Sequence, residues 1–403
     1  MTAVDTRIAA RAADAMPTIQ LLFFNDPDTY PPIVNSTRLL AEAGWRVQLI
    51  CRRDLAASGG VKYPENAELR RIDIPRILGP AGFAYFIGKA LAISQPRPSI
   101  VVGHDMHGLI AARVLAARHG CPYVYHCHDF ADDGFKLPLT ASLVRRAERC
   151  IARGAAEVIV PDRDRAQVVA HQLNLAKEPL IIANAPMSSA RPSNVVLRSR
   201  LREAGYHFSK IVLRQGRIAR GHAIESTLRS LGRWKNPDWG FVIMGPGEAS
   251  YIEGLKHLAR QLGVSKQFAV LPAVPYDDLA RYTFDADLGH GLYEPTHVNN
   301  IYITTASNKL MEYMQAGLPL LVSDRPSLAS FIAQRKCGVC ADESDPEAIA
   351  AAVNGVLDNP ADAAVMGGHS TAAFSGELCY ERQFAPALVA LDRLTGRRIA
   401  ATS

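Results

Sequence analysis

Glu312 sits in the stretch NKLMEYMQAGLPLLVSD, Asn308 to Asp324, among Leu310, Met311, Tyr313 and Met314. A carboxylate in so apolar a run must be paired or must hold a ligand. The stretch reads as a short helix that stops at a glycine and continues as an apolar strand. Ser307 or Asn308 can cap it, Gly317 can take the left-handed position past its end, and Pro319 forbids continuation. Free amide N–H groups at such a helix start suit a phosphate. About one turn further in, the two oxygens of Glu312 could accept both hydroxyls of a ribose diol. The plainer reading pairs Glu312 with Lys309 at i, i+3, a contact worth only a few tenths of a kcal/mol. Spacing alone leaves both open.

A second stretch, IVLRQGRIARG, runs from a strand (Ile211–Gly216) into a glycine-bracketed turn carrying Arg217 and Arg220, then into a helix. Guanidinium groups just past a strand end suit a diphosphate, giving bidentate contacts and neutralising charge on a departing phosphate. The turn is neither a Walker A loop nor GxGxxG. Two solvated surface arginines are the bland alternative. His128 closes PYVYHCHD, where taken alone it reads as a structural histidine at a strand end. Asp26–Asp28 (DPD) and Asp285–Asp287 (DAD) look like metal-binding pairs, but one is a Pro-containing loop and the other enters an apolar strand. HDMHG has no carboxylate–histidine set to complete a metal site, so His104 and Asp105 are expected to line a cleft or cap a helix. No metal is expected.

These residues need a frame. TIQLLFFN, WRVQLIC, PSIVVGHD, CPYVYHCHD and AEVIVPD are apolar strands, and IVNSTRLLAEAG and HGLIAARVLAARHG have helical spacing. The alternation argues for a parallel sheet covered on both faces. It breaks at ANAPMSSARPSN, a candidate linker, then restarts through KIVLRQG, WGFVIMGPG, QFAVLPAV, DADLGHGLY, GLPLLVSD and GVCAD. Two α/β halves imply a cleft with ligands beyond the carboxyl ends of the strands. A chain of 403 residues suits two domains. With 48% hydrophobic and 21% charged residues, it reads as a soluble globular protein. A net charge of +6 slightly favours anionic small molecules or a membrane surface and falls short of a nucleic-acid footprint.

MTAVDTRIAARAADAMP has no apolar core, so no secretory signal is expected, and no run approaches the roughly 18–20 apolar residues that span a bilayer. The seven cysteines form no framework. Cys337 and Cys340 make one CxxC with no second pair to complete a zinc site, and read as small apolar residues between a helix and a strand. Alternation puts Cys127 on the opposite strand face from His126 and His128. A reduced, cytoplasmic protein is the default. RILGPAGFAYFIGKALAIS, Arg76 to Ser94, could lie on an anionic membrane at the inner face; an ordinary core helix after a Gly-Pro turn is the alternative.

In order along the chain, GRIARG, VIMGPGE, LPAVPYDDLARY and SNKLMEYMQAGLPLLVSD resemble the motifs of the retaining GT-B glycosyltransferases of family 4 (glycosyl transferases group 1), and PYVYHCHD and the NAP of Asn184–Pro186 resemble its landmarks further upstream. The resemblance implies an α/β GT-B fold, two doubly wound Rossmann-like domains facing a cleft. The expected divisions are an extension at 1–17, an acceptor domain at 18–186, a linker at 187–196, a nucleotide-sugar domain at 197–375, and a helix at 376–403 crossing back to the first domain. It implies glycosyl transfer from a nucleotide-diphosphate sugar to a glycan, lipid-linked or small-molecule acceptor, with retention, no metal and no further cofactor, in cell-surface polysaccharide synthesis.

Residue by residue, Glu312 matches the ribose glutamate and Arg217 the diphosphate-contacting basic residue, next to Gly216. Arg220 stands in for a second basic residue, usually Lys. Asn308 and Lys309 lie where the helix start meets the distal phosphate, Val274 matches a position whose backbone meets the base, and His128 resembles the histidine facing the transferred sugar.

The chain also departs from the family. Thr304 stands where the family commonly has a second glutamate, Glu294 is too far upstream to replace it, the turn with the two arginines is short, and NDPDTYPP replaces a glycine-rich acceptor loop. A catalytically silent nucleotide- or sugar-binding relative, or a nucleotide-sugar epimerase, are the alternative readings.

Overall fold

The computed structural model describes residues 16–53, 61–130 and 139–397, so most of the expected N-terminal extension lies outside the described residues. Apolar runs become interior strands. In β1 (Thr18–Phe23) every residue is buried, as a strand covered on both faces requires. It is followed in the same sheet by β2 (Arg46–Arg52), β3 (Ala67–Ile72), β4 (Ile100–His104), β5 (Tyr123–His126), β6 (Glu157–Val160) and β7 (Leu180–Ile181). The connections carry α1 (Pro31–Glu42), α2 (Gly82–Ile93), α3 (Asp105–His119), α4 (Leu139–Ala152) and α5 (Arg163–Leu173). The seven strands are ordered β3-β2-β1-β4-β5-β6-β7, all parallel. β3, AELRRI, gave no strand signal in the sequence because its charged residues mask it. It is an edge strand, where charge is tolerated and protects against further pairing.

Residues 182–196 carry no regular element and lead to α6 (Leu197–Glu203). The second sheet has β8 (Lys210–Gln215), β9 (Trp239–Met244), β10 (Phe268–Leu271), β11 (Leu288–Gly291), β12 (Leu320–Ser323) and β13 (Gly338–Ala341). Its helices are α7 (Ile224–Ser230), α8 (Ala249–Gln261), α9 (Tyr276–Thr283), α10 (Val298–Ile301), α11 (Asn308–Gln315), α12 (Pro326–Arg335), α13 (Pro346–Leu357) and α14 (Pro360–Ala373). The order is β10-β9-β8-β11-β12-β13, again parallel. Strand order therefore reverses between β1 and β4 in one sheet and between β8 and β11 in the other, and such switch points open crevices at the strand ends. β4 ends on His104, and the segments leaving β8 and β11 carry Gly216 and Tyr293.

The last helix, α15 (Tyr380–Thr395), packs on the N-terminal sheet. Its Phe384 and Leu391 line a small cavity with Leu21, Leu40 and Val102, and the Tyr380 hydroxyl donates to Pro32 O at 3.1 Å. The two halves also meet along a second seam, where Asn184 donates its backbone N–H to Thr305 O and its amide to Ala306 O, both at 2.9 Å.

Candidate active site

α11 is built as its sequence indicates. Gly317 follows it at φ +71°, and the N–H groups of Gly317 and Leu318 close back on Met314 O and Tyr313 O. Ser307 occupies the N-cap position but makes no side-chain cap bond; its hydroxyl instead meets the Tyr293 hydroxyl at 3.0 Å. The helix amides are thus left without a side-chain cap, and the buried Oδ1 of Asn308 has no partner. Unsatisfied donors at a helix start are an anion site.

Glu312 is 8% exposed. The i, i+3 pairing with Lys309 is not formed: Lys309 Nζ donates to the Tyr293 hydroxyl at 2.8 Å, while Glu312 Oε2 accepts from Gln215 Nε2 at 2.5 Å. Gln215 is held in turn by Thr283 Oγ1 at 2.8 Å and by its own N–H to the Tyr313 hydroxyl at 3.0 Å. Burial pushes the Glu312 carboxyl above the usual carboxylate range, against the opposing pull of the Gln215 bond and the Lys309 charge. Glu312 lines a cavity of about 290 Å³ between the halves, with Asn35, Met187, Tyr276, Thr283 and Gln315. Val274 stands in the β10–α9 loop two residues before Tyr276.

The turn after β8 approaches from the other side. Gly216 takes φ +89°, and a Cβ there would lie 3.4 Å from Lys309 Cε, so Gly216, Lys309 and Glu312 form one site. The turn is propped by the β9–α8 loop: Gly216 N–H donates to Met244 O at 2.9 Å and Ile218 N–H to Pro246 O at 2.8 Å. Arg217 is exposed at the rim. Arg220 is not gathered in. Its side chain, 83% exposed, faces Glu225 at 3.7 Å and lies 5.0 Å from the Tyr251 ring.

Two participants carried no signal in the sequence. Gln215 orients Glu312, and Tyr293 joins Lys309, Ser307 and the buried Arg214, whose guanidinium lies 5.0 Å from the ring. Burial disfavours ionising Tyr293, but Lys309 and Arg214 outweigh it and hold the phenol below its usual range. Burial and the same cations push His222 far down. The neighbourhood is strongly cationic and lacks a buried counter-charge beyond Glu312 among the residues described here.

In the other half, β5 ends at His126, so His128 stands in the following loop rather than on the strand. It is 1% exposed. Its ring is parallel to that of His104, with His104 Nδ1 and His128 Nε2 3.0 Å apart; the His126 ring is 4.0 Å away and Tyr30 stands edge-on at 5.0 Å. Burial holds His104 down to about 3 and pushes His126 and His128 well below the usual imidazole range, so all three are neutral at physiological pH. Asp105 does not cap its own helix. At φ 55° it accepts from the N–H groups of His128 at 3.0 Å and Asp129 at 3.3 Å, and burial, with the Asp129 charge, pushes it up to about 7. His107 stacks on Phe24 at 5.0 Å.

The three histidines offer nitrogen atoms within 4.8 Å of one another. Imidazoles on a tetrahedral zinc stand about 3.3 Å apart and give their outer N–H to an acceptor. Here His104 Nε2, His126 Nε2 and His128 Nδ1 have no partner, while His104 Nδ1 is taken up by His128 Nε2. The two carboxylate pairs are engaged elsewhere. Asp26 and Asp28 face Arg71 at 3.5 and 2.7 Å, and Asp285 and Asp287 face Arg198 at 3.5 and 2.5 Å. Cys337 and Cys340 are free thiols, the first just before β13 and the second within it.

Residues 33–184 match the model of a glycosyl transferase 4-like domain and residues 205–371 that of the glycosyl transferases group 1. Over 173 residues the chain is 25% identical to the GDP-mannose-dependent alpha-(1-6)-phosphatidylinositol monomannoside mannosyltransferase of Mycolicibacterium smegmatis, spanning 42% of this chain and 44% of that relative's length. Among solved structures it is similar to HepE of Anabaena in complex with UDP and glucose, with a TM-score of 0.73 at 14% identity over 94% of this chain and 100% of that one. It is also similar to sucrose-phosphate synthase of Thermosynechococcus elongatus, with a TM-score of 0.70 at 15% identity over 93% and 98%. These likenesses show the GT-B fold.

Proposed function

The chain belongs to the group 1 glycosyltransferases, and we propose that it moves a hexose from a nucleotide-diphosphate sugar to a glycan, lipid-linked or small-molecule acceptor, with retention and without a metal ion. One observation carries the reading: α11 presents an uncapped, lysine-flanked N-terminus and, one turn on, a buried carboxylate. A phosphate at the first and a ribose diol at the second use both features at once. That two relatives carry GDP-mannose or UDP in their descriptions is consistent with either base.

The reaction breaks the bond between the anomeric carbon and the diphosphate and forms one to an acceptor oxygen. Negative charge grows on the leaving diphosphate, and Arg217, Lys309 and the α11 amides stabilise it there. Arg220 reaches it only by leaving Glu225. Glu312 accepts the ribose hydroxyls while Gln215 holds the carboxylate in place, and the loop of Val274 borders the base. His128, a neutral imidazole, hydrogen-bonds the sugar from the N-terminal half when the halves enclose it, and enclosure also excludes water. No described helix is long and apolar enough to cross a membrane. A cytoplasmic enzyme touching an anionic membrane through the turn at Arg76–Ala81, where Ile77 is 93% exposed, fits a lipid-linked or surface-polysaccharide acceptor.

Thermal unfolding with UDP, GDP, dTDP and ADP tests the donor site. A nucleotide at 100 times its Kd adds about 2.7 kcal/mol of stability. One nucleotide is expected to raise the wild-type midpoint, and Glu312→Gln is expected to lose that shift while the ligand-free protein melts no lower, because a buried charge has been removed. A shift that survives Glu312→Gln removes the ribose assignment. Binding with neither transfer nor isomerisation of any donor identifies a silent binder, and an isomerised donor an epimerase.

A further inference from the structure

We propose that Arg165 is a positioning residue that ties domain closure to the loop carrying His128. Arg165 lies in the first turn of α5 and is 2% exposed, yet among the described residues the carboxylate its guanidinium meets, Asp129 at 3.2 Å, belongs to a side chain 64% exposed. Its guanidinium is satisfied mainly by backbone carbonyls of both halves. Nε donates to Tyr302 O at 2.6 Å, Nη2 to Asn299 O at 2.9 Å and Nη1 to His128 O. Tyr302 and Asn299 lie between β11 and α11 in the C-terminal half, whereas His128 lies in the N-terminal half.

Burying a guanidinium costs several kcal/mol unless its donors are used. If the halves part, two of these carbonyls leave together, and the fork of Arg165 must turn to water. The arrangement around His128 and the closed seam are therefore formed together.

The surrounding contacts run the same way. Asn299 brackets the Phe130 peptide, accepting from its N–H at 3.4 Å and donating to its carbonyl at 3.0 Å. Asp162, the N-cap of α5, accepts from the N–H and hydroxyl of Thr305, each at 3.0 Å. The segment from Asn299 to Ala306 is thus strapped to the N-terminal half, and it runs directly into Ser307 and the phosphate-binding start of α11. One residue on the N-terminal half thereby holds the His128 peptide and the Asn299–Tyr302 backbone of the other half in one closed arrangement.

The inference rests on the transferase reading. Its test compares wild type with Arg165→Ala and Arg165→Lys in kcat, donor KM, nucleotide Kd and radius of gyration by small-angle scattering. Removing the fork is expected to lower kcat about 100-fold, the cost of misplacing a group by an ångström. Nucleotide Kd stays within about 2-fold, since Glu312 and Lys309 are untouched, as simple loss of fold would not allow. Arg165→Lys recovers little, because an ammonium does not span planar, forked acceptors. Added guanidinium restores part of the kcat of Arg165→Ala. An unchanged kcat, or a kcat loss matched by the same loss of nucleotide binding, overturns the proposal. If the wild type turns over no donor, the transferase reading fails by itself, and scattering decides the latch: a larger radius for Arg165→Ala supports it, an equal radius refutes it.

Discussion

Glu312 holds charge where charge is costly, with one amide donor and a lysine nearby. Two ribose hydroxyls would supply the donors that Gln215 alone does not, which is why the residue reads as waiting for a ligand. His104 and Asp105 show how burial acts on neighbouring groups with opposite signs. The folded chain keeps His104 neutral down to about 3 from an ordinary 6.5, so the unfolded chain takes up the proton first and stability falls as pH drops from 6.5 toward 3. Asp105 runs the other way. The folded chain keeps its proton up to about 7 while the unfolded chain releases it near 3.8, so this group's contribution is full below 3.8 and is lost as pH rises to 7. Asp105→Asn isolates the second effect. Melted side by side from pH 4 to pH 8, the variant should gain on wild type up to about 7 and hold a constant lead above it. A difference that does not change with pH would mean that Asp105 is ionised in the native protein.

The pieces that build the site are a turn and a short helix, and each depends on a close backbone approach. Gly245 adopts φ +146°, and a Cβ there would stand 2.1 Å from Gly216 O, so the β9–α8 loop can prop the turn after β8 only with glycine at this position. Gly245→Ala is expected to cost about 2–4 kcal/mol in denaturant unfolding and to weaken nucleotide binding as Gly216 shifts from Lys309. Retained binding at full affinity would show that the prop is not needed. Elements of this kind were readable because their signals are local: a glycine, a proline and a run of apolar residues mark where α11 stops and β12 begins. β3 was not readable, since Glu68, Arg70 and Arg71 hide an edge strand whose pairing with β2 is decided by backbone and not by side chains.

Across the molecule, the last helix is part of the first domain's core. Phe384 is 3% exposed and faces the N-terminal sheet from a point 361 residues after Phe23, taking the two sequence positions. Phe384→Ala should lower global stability by about 3–5 kcal/mol, and hydrogen exchange should quicken in β1 and β4. Exchange that quickens only within α15 would show that the helix is a tether and not a core element. The same closeness makes the seam of Arg165, Asn299 and Thr305 a joint whose two faces come from distant parts of the chain.

Periodicity, turn residues and motif order were enough to determine two parallel α/β halves and to single out Gly216, Lys309 and Glu312, which the fold brings together, because each of these signals lies within a few residues of the group it concerns. The i, i+3 alternative for Glu312 needed the fold to remove it: Lys309 goes to Tyr293, sixteen residues away past another strand end. Arg220 looked equivalent to Arg217 in the turn, but only the packing of α7 and α8 shows it drawn to Glu225 and Tyr251. His128 looked like the end of a strand and stands in a loop among two other histidines. Arg165 gave no sign at all. Its partners are backbone carbonyls, which every residue has, so only the tertiary structure could decide which three it would find.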